Sequence, residues 1–356
     1  MSTKTILIFQ GGGALGAYEC GAYQALAPHL DNLAVVAGTS IGAINSSLIA
    51  SHYQTADRGA AFLKQFWTEV LATSSQLFFP PSGVWRRWNA VWTSFLSGNP
   101  HLFTPRLLGS LPWLFRAPVY WSETHFYQTQ AMEQTLQQYF EPYGPKAGDP
   151  RLIVTAVDIE AGKSQAFDSW QDRITAEHVV SSGSLPPMFP AKEVNRKFYW
   201  DGGLWSNSPL PEVLNVLQKT GPIDESYQVY IIDVFSQRGS VPQNNWEVSQ
   251  RISEITYADK TNYDGKSCAW VNHYIDLVKT LHEQVDLLPA GLRNQIEQEY
   301  TRICQEKRVH LDITIIQRAA FPNEQAEQVS RELDFSPERI EELMSQGYRD
   351  AKQALE

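Results

Sequence analysis

The sequence has little that points to metals, redox chemistry or a membrane span. Only three of its 356 residues are cysteine, Cys20, Cys268 and Cys304. They are too widely spaced for a zinc motif, and their odd number suits reduced thiols in a cytosolic setting better than a disulfide framework. Basic residues are scarce: 29 Lys and Arg face 39 Asp and Glu, and the net charge of −10 argues against nucleic-acid binding, which needs a basic face to displace counterions from phosphates. Long apolar runs are missing too. Residues 5–9 are too short for a signal-peptide core, and residues 33–50 are interrupted by Thr39, Ser40, Asn45, Ser46 and Ser47, which excludes a spanning helix there. The expected location is cytoplasmic, with peripheral membrane contact or signal-independent export left open. The eight histidines lie in no motif of their own and read as structural or surface residues.

What is present is the composition of a globular α/β protein, 43% hydrophobic and 19% charged. Short β-branched runs at 5–9, 33–37, 152–157, 198–200, 228–235 and 310–316 predict buried strands. Helical spacing is expected after the first glycines up to Pro28, and over 43–50, 51–77, 125–140, 246–257 and 271–288. Ser336 and Pro337 read as the N-cap and first residue of a last helix ending at Leu355.

Three stretches carry chemistry. The second strand runs into Gly38-Thr39-Ser40-Ile41-Gly42, the form of a nucleophile elbow in which a strand turns sharply into a helix and holds a serine hydroxyl at the sheet's end. The first strand runs into Gln10-Gly11-Gly12-Gly13-Ala14-Leu15-Gly16. That pattern also satisfies the dinucleotide fingerprint, but such a unit places an acidic residue at the tip of the second strand, and this strand ends in Gly-Thr-Ser. The same glycines can instead turn backbone N–H groups toward an oxyanion. Downstream, a strand delivers Asp201-Gly202-Gly203, a carboxylate whose small neighbours permit close approach. Asp158, at another strand end, reads chiefly as a turn-ordering residue.

Residues 77–121 differ in character. They hold five of the eleven tryptophans, six prolines and interspersed arginines, which suits a lid over an apolar acyl pocket, contact with a membrane surface, or a core-packing insertion.

Taken together and in this order, the Gly11–Gly16 stretch, Gly38 to Gly42 and Asp201-Gly202-Gly203 resemble the patatin-like phospholipase family, and the stretch from Ser184 to Pro190 is similar to that family's proline-rich loop. The resemblance covers residues 5–235 and implies a three-layer α/β/α fold with a central, mostly parallel sheet. It further implies a Ser-Asp dyad that hydrolyses acyl esters of lipids without metal or cofactor. Ser40 would then be the nucleophile, Asp201 its base, and Gly11, Gly12 and Gly13 the oxyanion donors, with Gly16, Gly38, Gly42, Gly202 and Gly203 completing the motifs. Residues 1–235 would form the catalytic core and 236–356 a mostly helical part completing or packing on it. Two positions depart from the family: Leu15 where Arg or Lys is frequent, and Gln10 where Asp is common. Losing that positive charge removes a reason to favour phosphate head groups, so a general carboxylesterase or thioesterase stands beside phospholipase A or lysophospholipase activity. A nucleotide-binding oxidoreductase and an idle membrane-binding module are the readings from other classes.

Overall fold

The computed structural model describes residues 3–73, 93–94, 97–106, 124–220, 225–236, 239–258, 261–301, 309–319 and 331–356. The five tryptophans of the 77–121 stretch lie outside these residues, so its expected lid or membrane role does too.

Eight strands form one sheet: β1 (Lys4–Phe9), β2 (Leu33–Thr39), β3 (Arg151–Asp158), β4 (Lys163–Asp168), β5 (Lys192–Val194), β6 (Lys197–Asp201), β7 (Glu225–Asp233) and β8 (Val309–Gln317). Their order is β8-β7-β1-β2-β3-β6-β5, and β4 also pairs with β3. The five strands from β8 to β3 are mutually parallel, and β4, β5 and β6 make the antiparallel pairings.

Successive side chains along a strand point to opposite faces, and here each face has its own core. Leu7, Phe9, Val36, Leu152, Val154 and Ile232 turn one way, toward α1 (Gly16–Leu26), α2 (Ile41–His52) and the last helix, α10 (Pro337–Leu355). Ile6, Ile8, Val35, Ile153, Val229 and Ile231 turn the other way, against Leu210, Val213 and Leu217 of α6 (Leu210–Thr220). Burial on both faces explains why these strands read as continuous apolar runs. The remaining helices are α3 (Ala60–Gln65), α4 (Gln130–Tyr139), α5 (Ala176–Ser182), α7 (Asn245–Tyr257), α8 (Thr261–Glu283) and α9 (Ala290–Tyr300).

Three expectations need correction. The helix expected over 51–77 is broken: α2 ends at His52, and Arg58 and Gly59 adopt positive φ values of 53° and 79° before α3 begins. The break has a local cause, because the Asp57 carboxylate accepts from the N–H groups of Gly59 and Ala61 at 3.3 and 2.7 Å and so caps a new helix. Ser336 occupies the N-cap of α10, but its hydroxyl donates to Asp334 Oδ1 at 2.7 Å instead of capping. β4 and β5 were not expected, since Lys-Ser-Gln-Ala-Phe-Asp and Lys-Glu-Val lack the apolar content of a buried strand. Among the described residues, no helix is long and apolar enough to cross a membrane.

Candidate active site

The site arises where two strands meet end to end on one edge of β3. On that edge β2 pairs with residues 151–155, closing with Thr39 opposite Thr155. From the other direction β6 pairs with residues 156–158, closing with Asp201 opposite Ala156. β4 occupies the opposite edge over Ile153–Asp158. The parallel strand therefore ends one register step from the antiparallel one, and the residue after Thr39 faces Asp201. A hydrogen bond between the Thr39 and Thr155 hydroxyls, 2.7 Å and fully buried, fixes the seam.

Ser40 is held at φ 56° and ψ −122°, a conformation that costs a residue with a side chain about 1–3 kcal/mol. Its neighbours impose it. A Cβ on Gly38 would strike the Gly42 carbonyl, and one on Gly42 would come within 2.5 Å of the Gln10 carbonyl, so only glycine at both positions lets α2 turn this tightly against β1 and β2. The Ser40 N–H donates to Ser182 Oγ at 2.8 Å. Directly after Ser40, α2 begins, so the hydroxyl sits at the positive end of a helix.

The Ser40 side chain lies beside the Asp201 carboxylate. Asp201 is 3% exposed, and Oδ1 accepts from the Gly203 N–H at 2.7 Å. Among the described residues no cation pairs with it. Burial raises its pKa from 3.8 to about 6 against the lowering effect of the Gly203 N–H and the Ser40 side chain. The group is thus a far better proton acceptor than an ordinary aspartate, yet still ionised at neutral pH.

The glycine loop lies on the other side of Ser40. Gly11 differs from the expectation for an oxyanion donor: its N–H is taken by Asn207 Oδ1 at 3.1 Å, and Asn207 Nδ2 returns a bond to the Gly11 carbonyl at 3.1 Å and reaches the Tyr257 carbonyl at 3.0 Å. The amides of Gly12 and Gly13 make no hydrogen bond among the described residues, and both residues line the cavity in front of Ser40. Gly13 has φ 56° and a Cβ there would strike the Glu332 carbonyl, so the open loop depends on its being glycine. Gly16 opens α1 behind the loop, where its carbonyl and the Glu19 carboxyl accept from Asn45 Nδ2 at 3.1 and 2.8 Å. Asn45 Oδ1 in turn accepts from Trp67 Nε1 at 2.9 Å. Glu19 has no exposed surface, and burial pushes its pKa far up. Leu15, where a cation would have suggested phosphate recognition, is completely buried and away from the cavity lining.

The cavity in front of the serine has a volume of about 380 Å³, within the range of small-molecule sites. Ser40, Asp201 and the three glycines form its polar end, and Ile44, Leu102, Phe103, Met132, Phe189 and Phe335 contribute apolar walls. Among the described lining residues there is no histidine. His178 instead caps α5 through Thr175. Asp158 orders its turn, accepting from the N–H groups of Glu160 and Ala161 and from Lys197. Among the described residues no cluster of side chains could hold a metal ion. Asn207, Ser182, Asn45 and Phe335 were given no role in the site by sequence, although Asn207 follows Asp201-Gly202-Gly203, Asn45 follows the elbow and Ser182 precedes the stretch from Ser184 to Pro190.

An open, mostly parallel sheet sandwiched by helices, with a strained serine at the end of one strand and an apolar cavity before it, is the framework of a hydrolase-type α/β protein. The chain belongs to the patatin-like phospholipase family, whose model, described as patatin-like phospholipase, matches residues 7–214. A second model, described as patatin phospholipase, matches residues 255–356. Among solved structures the chain is similar to VipD from Legionella pneumophila, at 13% identity and TM-score 0.39 over 99% of this chain and 67% of that one. It is also similar to the heterodimeric ExoU-SpcU complex from the type III secretion system of Pseudomonas aeruginosa, at 15% identity and TM-score 0.32. That match covers 98% of this chain and 52% of the other, so the chain spans about half the length of that relative. No curated protein sequence matches it significantly.

Proposed function

We propose that the protein hydrolyses carboxylic esters of phospholipids or lysophospholipids through an acyl-enzyme on Ser40, with Asp201 as the base. What supports this reading is the buried Asp201 carboxylate, which has no counter-ion among the described residues and lies beside the Ser40 side chain. A serine hydroxyl is a weak nucleophile and needs a base within hydrogen-bond reach. With a pKa of about 6, Asp201 accepts the proton as Ser40 attacks the ester carbonyl. The developing oxyanion is received by the free amides of Gly12 and Gly13, each donor being worth about 3–4 kcal/mol of transition-state stabilisation. Gly11, held by Asn207, keeps the loop in place. Asp201 returns the proton to the leaving alcohol, and water cleaves the acyl-enzyme by the same route in reverse. The acyl chain lies against Phe103, Phe189 and Phe335. Residues 1–235 supply the dyad and loop, and 236–356 complete the cavity wall.

Hydrolysis of p-nitrophenyl esters of increasing chain length, run beside phosphatidylcholine and lysophosphatidylcholine vesicles with Ser40→Ala as control, tests the proposal. Turnover that rises with chain length, extends to the phospholipids and vanishes in the variant is expected. Activity confined to short esters and thioesters would favour the general esterase reading, and turnover unchanged in Ser40→Ala would end the proposal.

A further inference from the structure

Helix α7 is built the wrong way round for a helix that packs on a protein core. Its inner side is polar: Ser253 and Tyr257 line the cavity, and Glu254, 5% exposed, is ion-paired through Oε1 with Arg331 and through Oε2 with Arg251 at 2.9 Å. Three of its apolar side chains face outward. Val248, Ile252 and Ile255 are 43%, 60% and 63% exposed, and their i, i+4, i+7 spacing puts them in one stripe. At 100° per residue this stripe lies opposite Ser253 and Tyr257, so the helix separates the cavity from solvent with an apolar outer surface.

A second apolar element is tied to the end of α7. Leu204 and Trp205, 46% and 59% exposed, sit at the tip of the tight turn between Gly203 and Asn207, both of which line the cavity. Asn207 ties that turn to the end of α7 through the Tyr257 carbonyl at 3.0 Å. Two segments distant in sequence, joined by that bond, thus present five exposed apolar side chains, where isolated ones would need no explanation.

We infer that the outer stripe of α7 together with the Leu204-Trp205 turn is the surface by which the protein seats on a zwitterionic lipid bilayer, bringing the cavity over its substrate. The inference rests on the lipid-hydrolase reading for its choice of partner. The stripe is flanked on one side by Asn245, Ser249 and Thr256, which are uncharged, and on the other by Arg251 and Glu247. The only cation on α7, Arg251, is bound to Glu254, and the whole chain carries −10. Such a surface gains from apolar insertion and has no basic cluster to hold anionic lipid. A tryptophan at the rim suits the headgroup level, where an amphipathic ring is favoured.

Two variants test it, Ile252→Ser/Ile255→Ser and, separately, Trp205→Ala, none of these residues lining the cavity. Flotation with phosphatidylcholine vesicles and hydrolysis of those vesicles are measured beside turnover of a monomeric short-chain p-nitrophenyl ester. Each variant is expected to lose vesicle binding and vesicle hydrolysis by about tenfold or more, the scale of removing one inserted apolar side chain, and to keep wild-type turnover of the monomeric ester. Vesicle binding equal to wild type in both variants would overturn the inference, as would light scattering that shows a wild-type dimer converted to monomers by Ile252→Ser/Ile255→Ser. A wild type inactive on the monomeric ester would count against the catalytic proposal alone, because flotation still decides the docking surface.

Discussion

The two ends of strand β3 treat a buried carboxylate in opposite ways. At its start, Arg151 and Asp168 are 1% and 2% exposed and form a two-pronged ion pair, Nε to Oδ1 at 2.6 Å and Nη2 to Oδ2, with the guanidinium stacked 4.2 Å from the Trp170 ring centroid. Toward its end, beside Ala156, Asp201 is equally buried and accepts from the Gly203 N–H but has no cation among the described residues. A carboxylate taken out of water is tolerable when fully compensated, and the Arg151 end obeys that rule. The Asp201 end leaves the charge under-compensated, which is what makes it basic. Stability is given up at one end of the strand for proton affinity.

The comparison breaks most visibly in rate. Asp201→Asn keeps the shape and the Gly203 hydrogen bond but cannot accept a proton, so kcat is expected to fall about ten-thousandfold or more, as in other triads and dyads, and Ser40→Ala to fall as far. Steady-state kinetics on the preferred ester reads this out, and a loss under tenfold for Asp201→Asn would mean another group is the base. At the other end, Arg151→Met strands the Asp168 charge and is expected to cost about 3–5 kcal/mol of stability, with kcat per folded molecule unchanged. Chemical denaturation measures the loss. Arg151→Met/Asp168→Leu should recover most of it.

The contrast sharpens when the stability of Asp201→Asn is measured. A carboxyl raised from 3.8 to about 6 holds its proton more tightly in the folded protein. Its contribution to stability is complete below pH 3.8 and is lost as pH rises through about 6. At pH 7.5 the ionised Asp201 therefore costs on the order of 3 kcal/mol. Asp201→Asn is expected to melt at a higher temperature than wild type at that pH, with the gap narrowing toward pH 4. A smaller effect is expected from Asn207→Leu, which strands the buried Gly11 N–H at a cost of about 1–3 kcal/mol. It should slow turnover by loosening the glycine loop, with Asp201 still titrating as before.

What sequence could show and what it could not divides along the same lines. The elbow, the glycine loop and Asp201-Gly202-Gly203 are each encoded by adjacent residues, so strand, turn and helix signals sufficed to find them. That Ser40 and Asp201 meet was implied only by family resemblance; physically it follows from β2 and β6 sharing one edge of β3, a fact of register that no local pattern carries. Asn207 and Ser182 act on the loop and elbow from 196 and 142 residues away, and Phe335 reaches the cavity from the C-terminal part. α7 was legible as a helix, but helical periodicity predicts an apolar stripe as the buried side. β4 was missed because it is fully buried only at Phe167 and Asp168, so Lys-Ser-Gln-Ala-Phe-Asp pairs with β3 without a hydrophobic run.

The central claim is that a buried, counter-ion-free Asp201 activates Ser40. Its most direct test is the pH dependence of Ser40 acylation by a fluorophosphonate, followed by mass spectrometry in the wild type and in Asp201→Asn. Labelling confined to Ser40, with a rate that rises with pH to a plateau about a midpoint near 6 and collapses in Asp201→Asn, is the expected result. A label on another residue, or a rate at Ser40 that is indifferent to Asp201→Asn, would contradict it.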